Sequence, residues 1–189
     1  MNLPMLCAVI CVALGAAIDL RNRRIPNWLT LPAVVGGVVL QSAILGLSGT
    51  IESLLGALSG FLLLFFFYAA GGMGAGDVKL LAAAGSFLGP KLVFYAFIWM
   101  CLSGGFLAVI VISYKRAFAQ TIRNLKLLSV GWMTGSRESI STFSLKNPAL
   151  NKIPYGIPIA VGTVLAVWLQ RLPGFDFQGG TPRVFLWSL

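Results

Sequence analysis

Over 189 residues the chain is 58% hydrophobic and only 10% charged, with a formal net charge of +9. That apolar share exceeds what a soluble domain of this size can hide, so lipid must solvate most of it. There is no histidine, and the three cysteines (Cys7, Cys11 and Cys101) lie in apolar stretches without a Cys-x-x-Cys pair; this excludes histidine-ligated metal chemistry and Ser/His or Cys/His nucleophilic catalysis.

The first apolar segment runs from Leu3 to Ile18. No cation precedes it and Arg21, Arg23 and Arg24 follow, the reverse of a secretory signal, so it is expected to stay as an anchor. Further apolar segments span Trp28 to Leu47, Ile51 to Ala70, Val78 to Gly89, Leu92 to Ser113 and Pro154 to Leu169. The expected fold is all-α, a polytopic membrane protein of about six transmembrane helices. A single membrane-embedded domain is expected over 1–172 and an irregular, Gly- and Pro-rich tail over 173–189.

The cations set a topology. Arg21, Arg23 and Arg24 follow segment one, and Lys115, Arg116, Arg123, Lys126, Arg137, Lys146 and Lys152 fill the stretch between segments five and six. Both loops should be cytoplasmic, held against anionic headgroups, with nucleic acid excluded as a partner because the cations alternate with apolar spans. If all six segments cross, Lys79 joins these ten on the cytoplasmic side. The fourth segment is too short to cross from Val78, so its helix must start near Gly74, which draws Asp77 below the membrane surface. Lys115 to Met133, mixing cations with Phe118, Ile122, Leu125, Leu128 and Trp132, is expected to lie in the headgroup plane. Gly56 with Gly60, and Gly85 with Gly89, form small-xxx-small pairs suited to close helix contact.

Five acidic residues are available: Asp19, Glu52, Asp77, Glu138 and Asp176. Glu52, Glu138 and Asp176 fall at a segment start, in the basic loop and in the tail, where solvation explains them. Asp19 and Asp77 sit at the membrane edge, where an ionised carboxylate is costly and is usually functional. Each also has a plain structural explanation: Asp19 could pair with the neighbouring arginines, and Asp77, after a glycine run, could cap a helix. Together they say more. The topology puts the end of the first helix and the start of the fourth on one side, where two carboxylates can share a proton and divide the work of acid and base. The Gly71–Gly76 run lacks the Gly-Lys-Ser/Thr of a phosphate loop; these glycines instead let the backbone approach another helix or an extended substrate.

At these residues the sequence resembles the type IV prepilin peptidases, most closely the short TadV/CpaA-like members that serve Flp-type pili. Asp19-Leu20-Arg21-Asn22-Arg23-Arg24-Ile25-Pro26-Asn27 is similar to the family's first aspartate motif. Gly74-Ala75-Gly76-Asp77-Val78-Lys79-Leu80 is similar to its GxGD motif. Pro154-Tyr155-Gly156-Ile157-Pro158 resembles a segment opening the last span of the short members. The resemblance implies an aspartyl endopeptidase with Asp19 and Asp77 as catalytic pair and Gly74, Gly76, Lys79, Arg24, Pro26 and Asn27 in support. It further implies a prepilin or pseudopilin leader as substrate, cleavage at the cytoplasmic boundary of a bacterial inner membrane, and neither metal nor cofactor. Longer members carry paired Cys-x-x-Cys motifs and methylate the new N-terminus; with no such motif here, methyltransferase activity is not expected. The competing reading is a non-enzymatic membrane component whose two aspartates bind an ion or relay protons.

Overall fold

The computed structural model describes residues 2–69, 72–114 and 155–171. These form four helical elements: α1 (Leu3–Asn22), α2 (Asn27–Ala69), α3 (Ala75–Tyr114) and α4 (Gly156–Leu169). By length and composition α1, α2 and α3 can each cross a membrane. Large apolar side chains such as Leu47, Phe66 and Phe106 cover the outside, the surface expected of a protein whose solvent is lipid rather than water.

A straight helix of 43 residues would extend about 65 Å, roughly twice the hydrocarbon thickness. Instead α2 breaks at Gly46 (φ 65°, ψ −141°) and α3 at Gly89 (φ 78°, ψ 171°). Both conformations lie where a Cβ is disfavoured, and Pro90 behind Gly89 fits the first turn of a new helical arm. The chain folds back at each break. Ser42 and Thr50 share a hydroxyl hydrogen bond of 2.7 Å across the first, and a Cβ on Gly85 would lie 3.3 Å from Val93 across the second. Residues eight apart in a continuous helix would be separated by about 12 Å. The break at Gly89 ends the fourth apolar segment, and that at Gly46 falls one residue before the end of the second.

The first arm of α3 is the centre of the bundle. Leu80, Leu81, Ala83 and Ala84 are all fully buried. The second arm of α2 runs antiparallel to it in backbone contact: Gly56 lies against the Gly85 carbonyl and Gly89, and Gly60 against Leu81 and Ala82. The small residues thus let the two backbones meet, as expected of helices held by close approach rather than by a hydrophobic drive. Polar groups from both arms of α2 fasten the end of this arm of α3. Gln41 Nε2 donates to the Phe87 carbonyl at 2.8 Å, and Ser53 Oγ to the Ser86 carbonyl at 2.7 Å, so carbonyls near the Gly89 break, which lack helical partners, are satisfied.

Towards the other side, Gly15 of α1 abuts Leu80, and Gly162 of α4 abuts Ala96 and Met100. The C-terminal end of α1 and the N-terminal ends of α3 and α4 therefore gather at one end of the bundle. The basic stretch between the fifth and sixth segments, the headgroup-plane helix, Pro154 and the tail lie outside the described residues.

Candidate active site

Asp19 occupies the last turn of α1. The helix stops just beyond it because Arg23 adopts a left-handed conformation (φ 52°, ψ 30°) and returns its N–H to the Asp19 carbonyl at 2.8 Å, a C-terminal cap that satisfies an otherwise unpaired carbonyl. The Asp19 side chain turns inward and is 7% exposed. Its Oδ2 accepts the Gly156 main-chain N–H at 3.0 Å. Among the described residues no ion pair joins Asp19 to Arg21, Arg23 or Arg24, all of which are exposed. The pairing explanation for Asp19 is therefore replaced by a main-chain contact from a helix 137 residues away.

Asp77 is the third residue of α3 and is likewise 7% exposed. Its Oδ2 accepts the Gly74 N–H at 3.1 Å while its own N–H donates to the Gly74 carbonyl at 3.2 Å. This corrects the capping explanation: the cap position belongs to Gly74, and Asp77 reaches back from the first turn as the acidic half of a capping box. A carboxylate there is favoured by the helix dipole. The start of α3 at Ala75 also matches the early start that span length demanded.

The bundle brings the two carboxyl groups within electrostatic reach of each other. Tyr155, immediately before α4, completes the cluster. It is half-buried and lies within electrostatic reach of Asp77. The supporting residues divide into those that touch this cluster and those that do not. Gly74 binds Asp77 directly. Gly76 packs on Ile25, where a Cβ would lie 3.0 Å from the Ile25 Cβ, so the buried Ile25 seats the α1–α2 connection against the start of α3. Lys79 Nζ donates to Asn27 Oδ1 at 2.8 Å, tying the same two segments together at the rim. The Pro26 carbonyl accepts the Leu29 N–H at 3.2 Å and so opens α2. Arg24 is exposed and forms no ion pair with either aspartate.

Two residues of the cluster, Tyr155 and Gly156, were absent from the expected site. Their signal was present in the Pro-Tyr-Gly run, but a glycine acting through its main-chain N–H leaves no chemical mark in a sequence. Among the described residues no group of three or more His, Cys, Asp or Glu side chains could hold a metal ion.

Two buried carboxylates converging from separate helices at one end of an apolar bundle define a candidate diacid site. The family model for type IV leader peptidases matches residues 6–109, more than half of the chain and both aspartates; the chain belongs to this family. It is 39% identical over 105 residues to a prepilin leader peptidase/N-methyltransferase of Dickeya chrysanthemi, a match covering 49% of this chain and 36% of that protein. A protein of the same description from Aeromonas hydrophila is 35% identical over 99 residues, covering 49% and 34% respectively. The matched stretch thus spans about a third of the relatives' own length. No solved structure matches the chain.

Proposed function

We propose that this protein is an aspartyl endopeptidase that removes the leader from type IV prepilins, with Asp19 and Asp77 as its catalytic pair. The observation that carries the reading is the convergence of these two buried carboxyls from α1 and α3. Two such groups in a low-dielectric site share one proton. The ionised member takes a proton from water as the water oxygen adds to the scissile carbonyl carbon, and the protonated member gives its proton to the carbonyl oxygen. On collapse of the gem-diol the carbon–nitrogen bond breaks as the departing amine takes up a proton from the carboxyl that had accepted one, while a gem-diol hydroxyl gives its proton to the carboxylate that had donated one. Proton balance closes without a metal or a nucleotide.

A six-crossing topology, with the folded-back arms of α2 and α3 each counted as a span, places both aspartates beside the arginines after α1 and the basic stretch before α4. The positive-inside rule puts that end in the cytoplasm. A leader cut just before a pilin's hydrophobic helix presents its scissile bond at this depth. Family likeness and the short α1–α2 connection favour the TadV/CpaA-like group and a Flp-type pilin, cut at the inner membrane of a bacterium. The connection also leaves no room between α1 and α2 for an inserted Cys-x-x-Cys region, so peptidase activity alone is proposed although the relatives are described as N-methyltransferases too.

Co-expression with a Flp-type prepilin in a host lacking other prepilin peptidases tests both parts. Mass spectrometry should show a leaderless pilin with a free, unmethylated N-terminus. An uncut pilin would overturn the substrate class, and a methylated one the single activity.

A further inference from the structure

The contacts of α4 extend the site beyond the two aspartates. Gly156 is the first residue of α4, where main-chain N–H groups have no partner within the helix. Its N–H is spent on Asp19 Oδ2 at 3.0 Å, in a buried setting. The residue is pressed so close that a Cβ would meet Ala16 Cα, Asp19 Cβ and Asp19 Oδ2, each at 3.0 Å. One residue earlier, Tyr155 stands close enough to Asp77 to feel its charge. A single turn therefore addresses both carboxyls, each of which arises from a different helix.

We propose that Gly156 is a positioning residue of the peptidase site, its main-chain N–H fixing the Asp19 carboxylate in the orientation that faces Asp77. The inference rests on the aspartyl-peptidase reading given above. Asp19 lies at the C-terminal end of α1, where the helix dipole opposes a negative charge; the N-terminal end of α4 supplies the opposing field and a directed donor. The absence of a side chain at 156 is what permits the approach. A catalytic carboxylate free to change rotamer would hold its oxygen out of line with the attacked carbonyl for much of the time, and misplacement of this kind lowers turnover more than binding.

The test uses the full chain in lipid nanodiscs and a synthetic prepilin segment containing the leader and the first helical turns. Gly156→Ala should lower kcat by about 10- to 100-fold, the effect of one hydrogen bond to a charged group, with KM within about twofold of wild type. Gly162→Ala is the packing control. Its Cβ would also meet backbone, at Ala96 and Met100, but far from the aspartates, and it should lower the melting temperature while the folded fraction keeps its kcat. Should Gly156→Ala not fold, replacing the 155–156 amide by an ester in cell-free synthesis removes the N–H without adding an atom, and should give the same loss in kcat. Wild-type kcat per folded molecule in whichever of the two variants folds would overturn the inference, as would a loss confined to KM. Asp19→Asn and Asp77→Asn are assayed alongside. If they still cleave, the peptidase reading falls; if they are inactive while the position-156 variants are not, only the positioning role of Gly156 falls.

Discussion

Replacing either Asp19 or Asp77 by asparagine is expected to reduce leader cleavage by at least about a thousandfold while leaving the protein folded and inserted. The size follows from the chemistry: asparagine keeps the shape of the side chain but can neither accept the water proton nor hold one for the carbonyl, and each role accounts for about 10²–10⁴-fold. Loss of one member also removes the shared proton, so the double variant should be hardly slower than either single one, as for groups that act as a unit. Folding should survive because the amide oxygen of asparagine can still accept the N–H of Gly156 or Gly74. Immunoblots of pilin processing, with membrane extraction of the variants, read both outcomes. Retained cleavage in both variants would favour an ion-binding or proton-relay role.

The largest effect on stability should come from the glycines between the second arm of α2 and the first arm of α3. In Gly56→Ala the new methyl falls on the Gly85 carbonyl and close to Gly89 Cα, and in Gly85→Ala it falls on the Gly56 carbonyl. Backbone cannot yield as a flexible side chain does, so overpacking here should cost about 1–3 kcal/mol. Leucine at either position should prevent the arms from docking and abolish recovery of folded protein. Gly36→Ala is the matched control, since the nearest atom to its added methyl is Phe87 Cζ at 3.9 Å. Melting curves in one detergent should rank Gly36→Ala near wild type and Gly56→Ala well below it. Equal melting temperatures would show that the arms are not held by this close contact.

How much of this was readable in advance depended on whether a residue acts through its side chain. Asp19 and Asp77 stood out because an acid at the edge of an apolar span needs a reason to be there. The small-xxx-small glycines signalled close packing by spacing alone, and the structure sets Gly56 against Gly85 and Gly89 and Gly60 against the Leu81–Ala82 backbone. Gly89-Pro90 closes the fourth apolar segment and Gly46 stands one residue before the end of the second, so the fold-back points lie at or close to segment ends. What could not be read were partners fixed by tertiary structure. Asn27 and Lys79 meet across 52 residues, and Gly156 serves Asp19 through an N–H that every residue except proline carries. For the same reason the arginines after Asp19 were the obvious partners in the sequence, yet none pairs with it, while the cap at Arg23 works through backbone geometry.

The most direct measurement of whether the two carboxylates meet is a cross-link in intact membranes. In a chain carrying Cys7→Ala, Cys11→Ala and Cys101→Ala, the pair Asp19→Cys and Asp77→Cys would be treated with a one-carbon bis-methanethiosulfonate, with Gly36→Cys and Asp77→Cys as the distant pair. Rapid linkage of positions 19 and 77, blocked by a prepilin leader peptide and absent from the distant pair, is the expected result. Failure of 19 and 77 to link, in protein whose thiols each react singly with a monofunctional reagent, would mean that the ends of α1 and α3 do not come together in the membrane.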